Sequence, residues 1–283
     1  MRGTQVIRKI LVGLDGSEFS VSAVDLGIGW ARHFGAELVG LGIVDEPTIV
    51  KSAPVPIGGA AFKHHRNETL LTDARRRVEE FLEHFGDRCR ESGVAWRALE
   101  DVGLPHEQIT LEAQSHDVIL LGQQTYFHFE TQRRHCETLE RVLKSAPRPV
   151  VTVPRKLIAG SATVIAYDGS LQASRALQLF HGLGLQRSQS AHIVAIGASK
   201  MEARRSAQRA LDFLVAHEVK TEMHVDEAPV ESTAEVLLHW VRELGADLMV
   251  MGAYGQPVLK EFLLGSVTKT VLRDSPIPLF LHH

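Results

Sequence analysis

The chain of 283 residues has little cysteine, few aromatics and no marked excess of either charge. Its two cysteines, Cys89 and Cys136, form no Cys-x-x-Cys and stand in dissimilar contexts. That excludes a disulfide framework and leads to an expectation of reduced thiols in a cytoplasmic protein. A formal net charge of −3, with a pI near 6.6, argues against a nucleic-acid partner held by bulk phosphate neutralisation. No apolar run approaches the ~18 residues of a membrane span, and Met1–Lys9 lacks the apolar core of a signal peptide. GxxxxGK[ST], HExxH and GxSxG are all missing, so P-loop hydrolysis, zinc proteolysis and serine esterase chemistry lack their parts. Fifteen histidines invite a metal reading. However, the adjacent pairs His64-His65 and His282-His283 point different ways on a regular element, and the expectation is no metal site. Cys136 beside His135 is not a catalytic dyad by virtue of adjacency, and no catalytic residue is assigned. Arg75-Arg76-Arg77 lies opposite the apolar stripe of its helix and reads as a solvated face.

What is present is ordinary globular material, 44% hydrophobic and 23% charged, and it repeats itself. Ile10-Leu11-Val12-Gly13-Leu14-Asp15-Gly16-Ser17 returns as Val164-Ile165-Ala166-Tyr167-Asp168-Gly169-Ser170. Asp117–Gly122 returns as Asp247–Gly252, and Val142–Val150 returns as Val271–Leu279, in the same order. Three matches in register make a tandem duplication, with domains at 1–155 and 160–283 joined near Pro154–Gly160. Asp15 and Asp168 are 153 positions apart, whereas Gly122 and Gly252 are 130 apart, so the second copy is shorter between these anchors. The excess in the first copy falls at roughly 46–63, where three prolines and paired glycines predict a loop.

Each half alternates short apolar strands with amphipathic helices. The first predicts strands at Lys9–Leu14, Glu37–Val44, Ala95–Glu100, Val118–Leu121 and Val150–Val153. Helices are predicted at Glu18–Phe34, around Val78–Phe85, at Glu107–Ser115 and at Thr138–Ser145. The second repeats the order, with strands near Thr163–Tyr167, His192–Ile196, Glu222–Val225, Leu248–Met251 and Leu279–Leu281. Such a pattern is the signature of an α/β fold: two doubly wound, open, parallel five-stranded sheets in tandem. Val150–Val153 and Leu279–Leu281 are short apolar edge strands that invite partners. They are expected to pair within the chain, making a pseudo-dimer of the two halves; whether two chains then form a homodimer is left open.

Ligands of open parallel sheets bind beyond the carboxyl ends of the strands, where strand order reverses. There the second half carries Asp168 after its first strand. After its fourth come Gly252-Ala253-Tyr254-Gly255, nine residues, and Gly265-Ser266 opening a helix. Glycines allow close backbone approach, and a helix N-terminus with a hydroxyl suits phosphate.

This spacing, with Val267-Thr268 following and Pro276-Ile277-Pro278 leading into the last strand, resembles the nucleotide-binding motif of the universal stress protein family. The resemblance covers essentially the whole chain, as two family domains in tandem. It implies a Rossmann-like, adenine nucleotide alpha hydrolase-like fold, dimer-like pairing, and ATP, alone or with Mg2+, in the second half. The implied binding residues are Ala166, Tyr167, Asp168, Ile196, Met251, Gly252, Tyr254, Gly255, Gly265, Ser266, Val267 and Thr268. Asp168 would contact adenine or ribose, the Ile196 backbone would meet adenine, and Gly252 and Gly255 would line ribose and phosphates. Gly265–Thr268 would hold the phosphate chain.

The first half departs from this pattern. Asp15, Ile43 and Gly122 match, but Thr125 stands for Gly255, and either Cys136-Glu137 or His135-Cys136 stands for Gly265-Ser266. A weak or absent ATP site is expected there. The functional expectation is an ATP-binding stress-response regulator that signals by conformation or through an unidentified protein partner. The alternatives are a slow ATPase or phosphotransfer enzyme, including autophosphorylation, and an assembly platform that binds no nucleotide.

Overall fold

A computed structural model describes residues 7–51, 60–127, 137–186, 190–228, 232–253 and 265–283. The chain divides into two compact units, Arg8–Arg148 and a second made of Ile7 with Pro149–His283.

In Arg8–Arg148 the elements are β1 (Lys9–Leu14), α1 (Glu18–Phe34), β2 (Glu37–Val44), α2 (Glu46–Lys51) and α3 (Ala60–Ser92). They continue as β3 (Trp96–Val102), α4 (Pro105–Glu112), a 3-10 turn at Ala113–Ser115, β4 (Val118–Gly122) and α5 (Glu137–Ser145). Strand order is β3-β2-β1-β4, with every pair parallel. The order reverses between β1 and β4, so a switch point lies beyond Leu14 and Gly122. β1, β2 and β4 are almost wholly buried, as continuous apolar strands between helix layers must be. Helix α1 is capped at both ends: the Ser17 side chain accepts the Ser20 N–H, and Gly35 closes it in the left-handed conformation. Its buried stripe runs through Ala23, Val24, Gly27, Ile28 and Ala31, whereas Val21 on the same helix is 49% exposed.

The loop predicted at 46–63 is corrected at both ends. Glu46–Lys51 is helical because the Asp45 carboxylate accepts the Thr48 N–H at 3.1 Å, an N-cap that leaves Pro47 in the first turn, where its missing N–H costs nothing. Ile49 is buried against Val44, Ala74 and Val78. Helix α3 then begins at Ala60; the centre of the insertion, 52–59, lies outside the described residues.

The second unit contains β5 (Val150–Val153), β6 (Ala162–Ala166), α6 (Leu171–Gly182), β7 (Ser190–Gly197), α7 (Lys200–Ala216), β8 (Thr221–Glu227), α8 (Thr233–Glu243), β9 (Ala246–Gly252), α9 (Ser266–Asp274) and β10 (Leu279–His282). β10, β9, β6, β7 and β8 are joined by parallel pairings, the five-stranded sheet expected from the sequence. β5, the last strand of the first repeat, is hydrogen-bonded antiparallel to β10, with Phe280 opposite Val151. Both residues are fully buried. The apolar edge strands thus satisfy each other's backbone groups, and β5 falls in the second compact unit.

Candidate functional site

The second unit reverses its strand order between β6 and β9, and Ala166, Tyr167, Asp168, Ile196, Met251 and Gly252 of the predicted site lie at that end of the sheet. Ala166 ends β6 in register with Met251 on β9 and Val194 on β7. The buried Tyr167 donates its N–H to the Val194 carbonyl at 3.0 Å. From there Asp168-Gly169-Ser170 turns into α6: Gly169 has φ +80°, and the Ser170 side chain caps the helix by accepting the Ala173 N–H. The Asp168 carboxylate is exposed and accepts the Ser170 N–H at 2.9 Å. Gly252 is held to glycine, because a Cβ there would stand 2.5 Å from Ala173 N and 2.6 Å from Gln172 C. The end of β9 is therefore pressed onto the first turn of α6, which brings Asp168 and Gly252 to one rim. Ile196 reaches the same end of the sheet on β7, half-buried. Tyr254 and Gly255 lie outside the described residues.

Gly265 is the N-cap of α9, and among the described residues nothing lies within 4 Å of the position of a Cβ. The cap makes no side-chain hydrogen bond, and the first turn carries no acidic residue. Ser266 is exposed, Val267 half-buried and Thr268 buried. A helix N-terminus leaves N–H groups without intrahelical acceptors and concentrates positive potential, so this end of α9 is chemically suited to an anion.

Two residues to which the sequence assigned no part in this site also stand near this rim. His282 is in register with Gly252, and its carbonyl accepts the Ala253 N–H at 2.8 Å. Burial, then the nearby charges of His283 and Arg175, push the His282 imidazole down to about 4, so it is neutral at physiological pH. Arg209 of α7 brings Nη1 to 3.8 Å from where a Gly169 Cβ would be. Position along β10 was the available signal for His282. For Arg209 there was none short of the helix packing.

The corresponding place in Arg8–Arg148 is built differently. Asp15 is 5% exposed, and its carboxylate accepts Ser17 N at 3.0 Å, Ser17 Oγ at 2.6 Å and Tyr126 N at 2.6 Å. Burial raises its pKa, and the Ser17 and Tyr126 hydrogen bonds oppose that rise. Phe127 is buried against Gly13, where a Cβ would come within 2.9 Å of the ring. Gly13 is the repeat equivalent of Ala166. Over the Asp15-Gly16 turn lies Phe81 of α3: Gly16 has φ +74°, and a Cβ would fall 2.1 Å from the ring. The helix that follows also differs. α5 spans Glu137–Ser145 and α9 spans Ser266–Asp274, each nine residues, so Glu137 is the counterpart of Ser266 and Cys136, outside the described residues, that of Gly265. Glu137 and Glu140 put carboxylates in the first turn of α5, and Glu137 is paired with Arg141.

A model of the universal stress protein family matches this chain twice, over residues 7–154 and 163–283. The chain belongs to the universal stress protein family. A curated relative, universal stress protein Slr1230 of Synechocystis sp., is 24% identical over 219 residues, covering 77% of this chain and 72% of its own. Among solved structures, a universal stress protein from Archaeoglobus fulgidus DSM 4304 superposes with a TM-score of 0.71 at 18% identity, over 97% of both chains. A protein of unknown function from Pseudomonas aeruginosa PAO1 gives 0.60 at 16% identity, over 99% of this chain and 93% of its own. At these identities the likeness is one of fold. This member of the family is a tandem one, with unlike switch points in its two repeats.

Proposed function

We propose that this universal stress protein binds ATP in its second repeat and acts as a regulatory protein of the stress response. The observation that carries the reading is the contrast between two equivalent helix N-termini. Among the described residues nothing lies within 4 Å of a Cβ position at Gly265, and α9 has no acid in its first turn; α5 carries Glu137 and Glu140 there. An ATP phosphate chain would meet the positive end of α9, while the exposed Asp168 across the switch point is free to take ribose hydroxyls or the adenine amine. In the first repeat, Phe127 lies over Gly13, Asp15 is internally bonded, and the Glu137 and Glu140 carboxylates at the start of α5 disfavour phosphate. That copy binds ATP weakly or not at all.

The site is read as a binder and not as a catalyst. Phosphoryl transfer needs metal ligands and a residue orienting the nucleophile; the motif offers the Asp168 carboxylate and otherwise backbone N–H groups and hydroxyls. Mg2+ would arrive with the nucleotide. Among the described residues no helix is long and apolar enough to cross a membrane, and a cytoplasmic place of action is part of the proposal. So is an internal pseudo-dimer of the two repeats, which the β5–β10 pairing supports, together with a protein partner that reads the nucleotide state.

The test is to denature the purified protein, chromatograph what is released, and titrate the stripped protein with ATP in a calorimeter. About one adenine nucleotide per chain, abolished by Gly265→Glu, is the expected result. Tight ATP binding that survives Gly265→Glu would overturn the assignment to the second repeat. Prompt ADP production during the titration would overturn the reading as a binder.

A further inference from the structure

Far from the candidate nucleotide site, the second unit brings three potential metal ligands together on one sheet face. His192 is the third residue of β7, directly opposite Glu222 of β8 in the parallel register. Glu222 and His224 are two apart on the same strand and therefore share a face. His192 Nδ1 and His224 Nε2 are 3.1 Å apart, and His192 Nδ1 is 3.8 Å from Glu222 Oε2. One ligand atom from each residue lies within 4.8 Å of the other two. Bonds of about 2.05 Å in a tetrahedron separate ligand atoms by roughly 3.3 Å. The imidazole pair is already at that spacing, and Glu222, exposed at the strand edge, needs only a rotamer adjustment.

From these distances we infer that His192, Glu222 and His224 form a site for a divalent transition-metal ion of the Zn2+ type, with solvent as the fourth ligand. The surroundings fit the chemistry. His192 Nε2 is 3.1 Å from Ser190 Oγ, a partner for the ring N–H that directs the Nδ1 lone pair toward His224. Such outer contacts orient metal-bound imidazoles and fix their tautomer. Against the far side of His224 lies the Trp240 ring at 4.3 Å between centroids, itself anchored by Nε1 donating to Asp226 Oδ2 at 2.6 Å. With both rings held in place, metal would replace the His192–His224 hydrogen bond and the His192–Glu222 contact, and the His224 proton moves from Nε2 to Nδ1. Burial, then the neighbouring His192, lowers the His224 pKa, against the opposing pull of Glu222 and Asp226.

The ion would clasp β8, last in the strand order of its unit, to β7. His192 precedes Ile196 by four residues, about 13 Å along the strand. The site is therefore separate from any Mg2+ accompanying a nucleotide, and the inference stands whether or not ATP binds.

The full-length protein, stripped with a chelator and dialysed, should be titrated with Co2+ and then Zn2+, reading cobalt visible absorption, bound metal per chain and melting temperature. One equivalent of tetrahedral Co2+, displaced by Zn2+, and a raised melting temperature with Zn2+ are expected. Glu222→Gln and His224→Gln should each weaken binding at least about tenfold and remove the thermal shift, while keeping a metal-free melting curve close to that of the parent. A combined His64→Ala, His65→Ala and His283→Ala variant should bind as the parent does. Absence of stoichiometric binding, or binding undiminished by both ligand variants, would overturn the inference.

Discussion

Phe127 makes the sharpest test of how the first repeat is closed. Its ring is 1% exposed and lies over Gly13, beside Leu121. Truncation to alanine removes about 150 Å² of buried apolar surface, worth roughly 4 kcal/mol at about 25 cal/mol per Å². The position is at the carboxyl rim of the sheet, where partial collapse is easier than in the centre, so about 3 kcal/mol is expected for Phe127→Ala, the lower part of the usual range. Trp30 and Trp96 are the tryptophans of Arg8–Arg148, and Trp240 is that of the other unit. Urea unfolding followed by fluorescence in a Trp240→Phe background therefore reports the first unit alone. At a slope of about 1.5–2 kcal/mol per molar urea, the midpoint should fall by roughly 1.5–2 M with unchanged slope. A fall of less than about 0.5 M would refute the packing of Phe127 over Gly13, and with it the physical basis for a closed first site.

Gly16→Ala should cost about 2–4 kcal/mol, since a left-handed φ and the Phe81 ring both oppose a Cβ. Gly35→Ala, left-handed but with open space, should cost only about 1 kcal/mol; equal costs in paired denaturation curves would contradict this. Phe280→Glu buries a carboxylate beside Phe180 and opposite Val151 and should cost more than about 4 kcal/mol, as should Val151→Glu, by thermal or urea unfolding. Stability should be flat above pH 6.5 and fall between pH 6.5 and 4. The unfolded chain takes up protons at the ordinary imidazole value, whereas native His282 resists them down to about 4. The ring is half-buried, so solvent screening leaves about 1–2 kcal/mol of that loss to His282. His282→Asn should flatten the slope by that amount in denaturation midpoints across pH; an unchanged slope would count against it.

Most elements were legible from local pattern. Helix Glu18–Phe34 and strands Lys9–Leu14, Glu37–Val44 and Val150–Val153 have the bounds their periodicity predicts, because each follows from burying one face or both. The helix at Glu46–Lys51 was missed because Pro47 was read as a breaker, when the Asp45 cap makes that position the first turn. The backbone turns of the candidate site were legible too: Gly169 has φ +80° after Asp168, Gly252 is packed against α6 and Gly265 caps α9, all signals carried by residue type. The His192–Glu222–His224 cluster was not, since it depends on which strand lies beside which and in what register. Adjacent histidine pairs drew attention instead, and only alternation at Glu222-x-His224 pointed the right way.

By itself the sequence determined the duplication, the alternation of strands and helices, and the family, because all three are written in local period and in repeated order. Tertiary structure alone decided the direction and register of the expected β5–β10 pairing, antiparallel with Phe280 opposite Val151. It also decided that Asp15 is buried and internally bonded while Asp168 is exposed. The two aspartates sit in nearly the same local sequence, Asp-Gly-Ser after an apolar strand. Around Asp15 the contacts are long-range, with Tyr126 N–H on the carboxylate and Phe127 over Gly13, and desolvation is a property of what packs around a group, not of its neighbours in the chain.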